Sequence, residues 1–142
     1  MTTRVCETSL DLEDAIKLIR SRPLPLTLNI LKGKHRSSQQ NHLQRMWLNE
    51  AAEQLGEYTA EEYRAYCKLH FGVPIMRMES DEFMESYDRI IKPHSYEDKL
   101  EMMAVPLDFP VTRLMTTKQL TQYLDAMHDH FTMLGVQLTQ PR

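Results

Sequence analysis

Apolar and polar residues alternate with a period of two from Leu24 to Ile30: Leu24, Leu26, Leu28 and Ile30 fall on one side, Pro25, Thr27 and Asn29 on the other. That period predicts a strand with one buried face. Thr3 to Ser9 is a second, weaker strand candidate. Between the two, Leu12, Ala15, Ile16 and Ile19 recur at helical spacing, so the chain is expected to open β-α-β. Further on, Val105, Leu107, Phe109 and Val111 alternate with Pro106, Asp108, Pro110 and Thr112. Both prolines share one parity and withhold their amide donors on one side, which fits an edge strand or an extended segment.

The rest of the pattern is helical. Gly33 breaks the strand, and Ser37 or Ser38 can cap a helix whose stripe is Leu43, Trp47, Leu48, Ala51, Ala52 and Leu55, stopped by Gly56. Thr59 with Glu62 forms a capping box, and Tyr58 with Tyr63 a hydrophobic staple, for a helix running to Phe71. It is expected to bury Tyr63, Tyr66, Cys67 and His70, and to end at Gly72 and Pro74. Ser80 caps the next, with Asp81, Glu82 and Glu85 at its positive end and Phe83, Met84, Tyr87, Ile90 and Ile91 inward, closed by Pro93. Ser95 to Ala104 is a short helix with Leu100 and Met103 inward. The last starts at Thr116, with Gln119 at N3, carries Leu120, Tyr123, Leu124, Met127, Phe131 and Leu134, and ends at Gly135. No repeat, low-complexity tract or linker interrupts the 142 residues. The expected fold is a single α+β domain over residues 1–142: a small antiparallel or mixed sheet packed with five to six helices.

Charge changes the picture. Between Asp14 and Glu50 stand seven Lys or Arg residues and no acid: Lys17, Arg20, Arg22, Lys32, Lys34, Arg36 and Arg45, with His35 and His42 among them. The net charge is −3, so this +7 stretch sits on a remainder carrying ten basic and twenty acidic side chains. Such a pole can localise a polyanion on one part of a protein that elsewhere repels it. A solvated basic face without a ligand is the bland alternative. The apolar run from Pro23 to Leu31 is far too short to span a bilayer, and the first residues hold no apolar core of a secretory signal. Cys6 and Cys67 are isolated thiols that suit a reducing compartment, with one bridge left open, so the cytoplasm is expected.

Candidate chemistry is sparse. Cys67-x-x-His70 is one potential ligand pair, but no second pair has matching spacing, and a buried helix face is the alternative reading. His128 and His130, two apart on a helix, diverge by about 200°. No nucleotide-binding or hydrolase motif occurs. No cofactor, metal or catalytic residue is assigned, and Glu79, Asp81, Glu82 and Glu85 read as acids at a helix start. The segment from Lys32 to Arg45 differs in kind. Gly33 lets backbone approach a ligand closely, and a helix opening just after Arg36 offers free amide donors to a phosphate. Lys32, Lys34, Arg36 and Arg45 supply charge, with His35 among them, and Gln39, Gln40 and Asn41 supply amides for phosphate, sugar or base edges. Trp47 falls on the apolar stripe, so its indole is either core or a base-stacking platform.

Arg36-Ser37-x-x-Gln40-Asn41, followed by a helix bearing Trp47, resembles the NinB (Orf) recombination proteins of lambdoid phages. The stretch from Cys67 to Pro74, and Val111 to Met115 leading into a helix ended by Gly135, are similar to its prophage-borne branch. That resemblance implies a dimeric α+β protein that binds DNA, single strands above all. It also implies assistance to RecA-type recombination, with a single-strand-binding protein as partner. Two other classes compete: a metal-dependent recombination nuclease, and a protein-interaction module that does not bind DNA. The first would need a carboxylate cluster facing the basic segment.

Overall fold

A computed structural model describes residues 4–30 and 38–140. Every regular element among them is helical, and none is a strand, which overturns the expected α+β fold with its sheet. The chain divides into two compact units, Met1–Arg36 and Ser37–Arg142.

The first unit holds α1 (Ser9–Ser21). Where a strand was expected over Thr3–Ser9, Thr8 instead caps this helix. Its hydroxyl accepts from the Asp11 amide at 3.1 Å, and the Asp11 carboxylate accepts from the Thr8 amide at 3.3 Å. A reciprocal box of this kind satisfies two amide donors that a helix start leaves free. The helix stops at Arg22 because Pro23 follows: its ring disfavours helical backbone before it, and Arg22 is extended at φ −90°, ψ 143°. The alternating stretch from Leu24 to Ile30 is irregular rather than a strand. Alternation stabilises a strand only where a neighbour supplies a ladder, and the described residues contain none. No residue of α1 is buried.

The second unit contains α2 (Ser38–Leu55), α3 (Ala60–Cys67), α4 (Val73–Glu79), α5 (Asp81–Ile90), α6 (Tyr96–Met103) and α7 (Thr117–Met133). Local signals set most boundaries. The Thr59/Glu62 and Thr116/Gln119 boxes start α3 and α7, and Ser80 and Ser95 cap α5 and α6. Gly56 (φ +70°) and Gly135 (φ +89°) end α2 and α7 in the left-handed region that favours glycine. The expected break at Gly72 and Pro74 does not occur. A π-helical turn, Lys68–Gly72, joins α3 directly to α4, and the Val73 amide bonds back to Lys68 O, one residue further than in an α-helix. Pro74 falls in the first turn of α4, where its missing amide hydrogen is least needed. Gly72 is there for close packing: a Cβ would lie 2.6 Å from Val111 Cγ1.

The proline-containing stretch after α6 is no strand either. Turns occupy it up to a short 3-10 turn, Thr112–Leu114. Its amides are already engaged: Val105 donates to Glu61 Oε1 (3.0 Å), Asp108 to Ala104 O (2.8 Å) and Phe109 to Met102 O (2.9 Å). The alternation is lost, with Val105 and Leu107 exposed and Val111 buried.

The core lies where α2, α3 and α7 meet, filled by Trp47, Leu48, Ala51, Tyr63, Leu120, Tyr123, Met127 and Phe131. Phe83 and Tyr87 of α5 pack with Phe109 at a second aromatic cluster, whereas Met84 and Ile90, expected inward, are exposed. After Gly135 the chain runs back along α2. The Gln54 side chain bonds the Gln137 backbone twice (2.9 and 2.8 Å), the Glu50 carboxylate accepts from the Thr139 amide and hydroxyl, and the Trp47 indole donates to Thr139 O at 2.7 Å. No helix among the described residues is long and apolar enough to cross a membrane.

Candidate functional site

Of the residues read as DNA-binding, Lys32, Lys34, His35 and Arg36 lie outside the described residues. Gln40, Asn41 and Arg45 all lie in the first half of α2. Arg45 is exposed and sits one turn beyond Asn41, on the same side of the helix. Asn41 is half-buried. Gln40 turns toward the bundle, where its Nε2 donates to Thr121 Oγ1 of α7 at 2.9 Å. Its amide thus ties α2 to α7. Lys17, Arg20 and Arg22 of the first unit are exposed, and neither they nor Arg45 make an ion pair among the described residues.

Trp47 is 5% exposed and tilted against His128, so the indole is core rather than an open stacking surface. Cys67 and His70 part company. Cys67 is fully buried, its thiol pushed up to about 12 by burial, while His70 is exposed instead of inward. Both cysteines are free. No three His, Cys, Asp or Glu residues among those described are grouped to hold a metal ion. Asp108 is held by cations, and Glu79 accepts a hydrogen bond from Gln119.

The π-helical turn carries what sequence reasoning missed. It buries Lys68, leaves His70 exposed and sets Phe71 half-buried against the core. His70 stacks on Tyr66 (centroids 4.1 Å apart), Tyr66 stacks in turn on His130 of α7 (5.2 Å), and His70 Nε2 shares a hydrogen bond with the Tyr96 hydroxyl of α6 at 2.7 Å. Tyr66, Tyr96 and His130 of this ladder line a groove of about 670 Å³ between α3, α6 and α7. Tyr58, Tyr63, Tyr66 and Tyr96 line it together with Leu55, Leu100 and Leu134. Glu57, Glu62 and Glu101 also line it, and no Lys or Arg does. The signal in the sequence was the spacing of Tyr63, Tyr66 and His70, three polar-edged rings on one helix face. Nothing in the sequence showed that Tyr96 would meet them.

Beneath that face Lys68, 1% exposed, donates to Met103 O (2.7 Å) and Asp108 Oδ1 (2.6 Å). Arg64 bridges Asp108 (2.8 Å) to Glu61 through a bidentate pair (2.8 and 2.9 Å). Asp108 holds a left-handed backbone, φ +44°, to reach both cations. Burial depresses the Lys68 ammonium, against the pull of Asp108. Arg64 holds Glu61 below the usual carboxylate range by hydrogen bonding. Desolvation raises Asp108, but hydrogen bonds from Lys68 and Arg64 outweigh it and leave the group lowered. The network pins the turn after α6 to α3 and so fixes one wall of the groove.

These groups give stability a definite pH dependence. Burial, and for His70 the neighbouring His130, holds both imidazoles below the ordinary value of 6.5. As pH falls past that value the unfolded chain takes up protons first, so stability declines. Glu61 and Asp108 act in the same sense: their contribution is full above the ordinary 4.5 and 3.8 and is lost as pH falls through their folded values. The melting temperature is expected to fall steadily from about pH 7 to about pH 4, and a flat or rising profile would contradict this reading.

No protein-family profile, curated protein or solved structure matches this chain.

Proposed function

We propose that this protein binds DNA, single strands in preference, through the basic stretch that enters α2, and does so as a homodimer without catalysing a reaction on the strand. One observation carries the reading: seven basic side chains and no acid lie between Asp14 and Glu50, on a chain that is otherwise strongly acidic. Phosphate neutralisation supplies most of the energy of non-specific binding, so a strand is held at this stretch and repelled elsewhere. Lys32, Lys34, Arg36 and Arg45 take the phosphates, with His35 and Asn41 beside them. The tyrosine groove has the wrong charge for the same ligand. Bases stacked on its rings would bring phosphates against Glu57, Glu62 and Glu101. The setting we propose is phage or prophage recombination in the cytoplasm, beside a single-strand-binding protein and a RecA-type recombinase. It rests on the Arg36-Ser37-x-x-Gln40-Asn41 resemblance alone.

Fluorescence anisotropy with single- and double-stranded oligonucleotides across a salt series tests the binding. Neutralising four phosphates per subunit gives a slope of about −3 for log K against log salt on single strands, roughly doubling for a dimer that engages both copies. Lys34→Ala with Arg36→Ala should weaken binding and flatten that slope to about −1.5. Unchanged affinity and slope in a folded double variant would remove the assignment.

A further inference from the structure

The tyrosine groove and the segment after α1 are each incomplete, and in complementary ways. The groove is apolar and aromatic within, carries three carboxylates and has no cation to balance them. The segment from Arg20 to Ile30 offers two cations and no acid, then Leu24, Leu26, Leu28 and Ile30, which are 83%, 38%, 54% and 88% exposed. Pro23 and Pro25 keep the chain from Arg22 to Ile30 out of a helix, in the non-helical form that aromatic-lined grooves receive, while Arg20 stands in the last turn of α1. Four exposed aliphatic side chains within seven residues form an apolar surface that a soluble protein ordinarily covers.

We infer that the groove is the docking site for the Arg20–Ile30 segment of a second copy of this chain. Leucine side chains enter between Tyr58, Tyr66 and Tyr96, and Arg20 and Arg22 meet Glu57 and Glu101 at the edge. The exchange is isologous: each copy gives one segment and one groove, so two contacts close a twofold dimer and leave neither half unpaired. Charge fixes the direction of docking, since like charges placed together at an interface cost several kcal/mol. The inference rests on the dimer part of the proposed function; it takes Arg20 and Arg22 from the basic stretch and none of the four residues assigned to phosphates. The stretch from Lys32 to Arg45 is not used by it.

The test is light scattering of the full chain at tens of micromolar in moderate salt, with two charge-reversed variants. One is Arg20→Glu with Arg22→Glu, the other Glu57→Lys with Glu101→Lys. All four positions are exposed, and circular dichroism confirms that helix content is kept. Wild type is expected at twice the chain mass, and each variant alone is expected to dissociate at least about tenfold more readily. Mixed in equal amounts the two should form a heterodimer, because the glutamate segment of one then meets the lysine groove of the other while the second contact keeps its native charges. A monomeric wild type overturns the proposal together with the dimer reading. A dimeric wild type whose variants stay dimeric, or whose variants fail to pair on mixing, overturns the groove assignment and leaves the dimer standing. Docking within one chain, or capture of an unrelated protein by the groove, would likewise leave the mixture monomeric.

Discussion

Trp47→Ala is expected to destabilise the protein by about 3–5 kcal/mol, the range for removing a buried aromatic side chain. A melting temperature lower by roughly 10–20 °C should follow for a chain of this size. The indole is 5% exposed, rests on His128, and donates to Thr139 O at 2.7 Å, so its loss opens a cavity and frees the C-terminal run from α2. Trp47→Phe keeps a ring in the site and loses the donor; because Thr139 is exposed, water can replace that bond, and the effect should shrink to about 1 kcal/mol. The same pair of variants separates the two roles that the sequence left open. Trp47 is the one tryptophan of the chain, so its fluorescence reports on this site alone. Added single-stranded oligonucleotide should leave the emission of wild type nearly unchanged, and Trp47→Phe should bind DNA as tightly as wild type. Strong quenching with a matching loss of affinity would make the indole a stacking surface and reverse the assignment.

What the sequence disclosed was local. The capping boxes at Thr59 and Thr116 were legible because each is built from residues three apart, and the stripes from Trp47 to Leu55 and from Leu120 to Phe131 repeat often enough to fix a buried face. What misled was a pattern that needs a distant partner. Leu24 to Ile30 alternates as a half-buried strand would, yet the period carries no information about whether another strand is present. The residues from Val105 to Thr112 fail for a related reason: side-chain and turn bonds from Glu61, Ala104 and Met102 use the amides a ladder would need. Gly72 and Pro74 look like a helix stop in one dimension. The π-helical turn carries the chain past both, with Gly72 set against Val111. Of the candidate site, the basic stretch is a property of composition and could be read directly. The tyrosine groove depends on α6 and α7 meeting the face of α3, and that packing is visible only in three dimensions.

The network around Lys68 belongs to the same hidden class, and it sets the second large expectation. Asp108→Ala removes the carboxylate that pairs an ammonium 1% exposed to solvent, leaving Lys68 with Met103 O as its one remaining partner among the described residues. Breaking a buried pair from one side costs about 3–5 kcal/mol, and the lower end applies because Asp108 itself is 38% exposed. Alanine also fits the left-handed backbone at φ +44° poorly, which adds about 1 kcal/mol. Adding Lys68→Met separates the two contributions. Methionine fills the stem's space without a charge, so the double variant should recover most of the loss from Asp108→Ala and keep only the backbone part. Lys68→Met alone should be mild, since Asp108 keeps Arg64 at 2.8 Å. Chemical denaturation of the four proteins closes the cycle. A double variant no more stable than Asp108→Ala would mean that the stranded ammonium is not the source of the loss. The role of Asp108 would then be confined to shaping the turn that walls the groove.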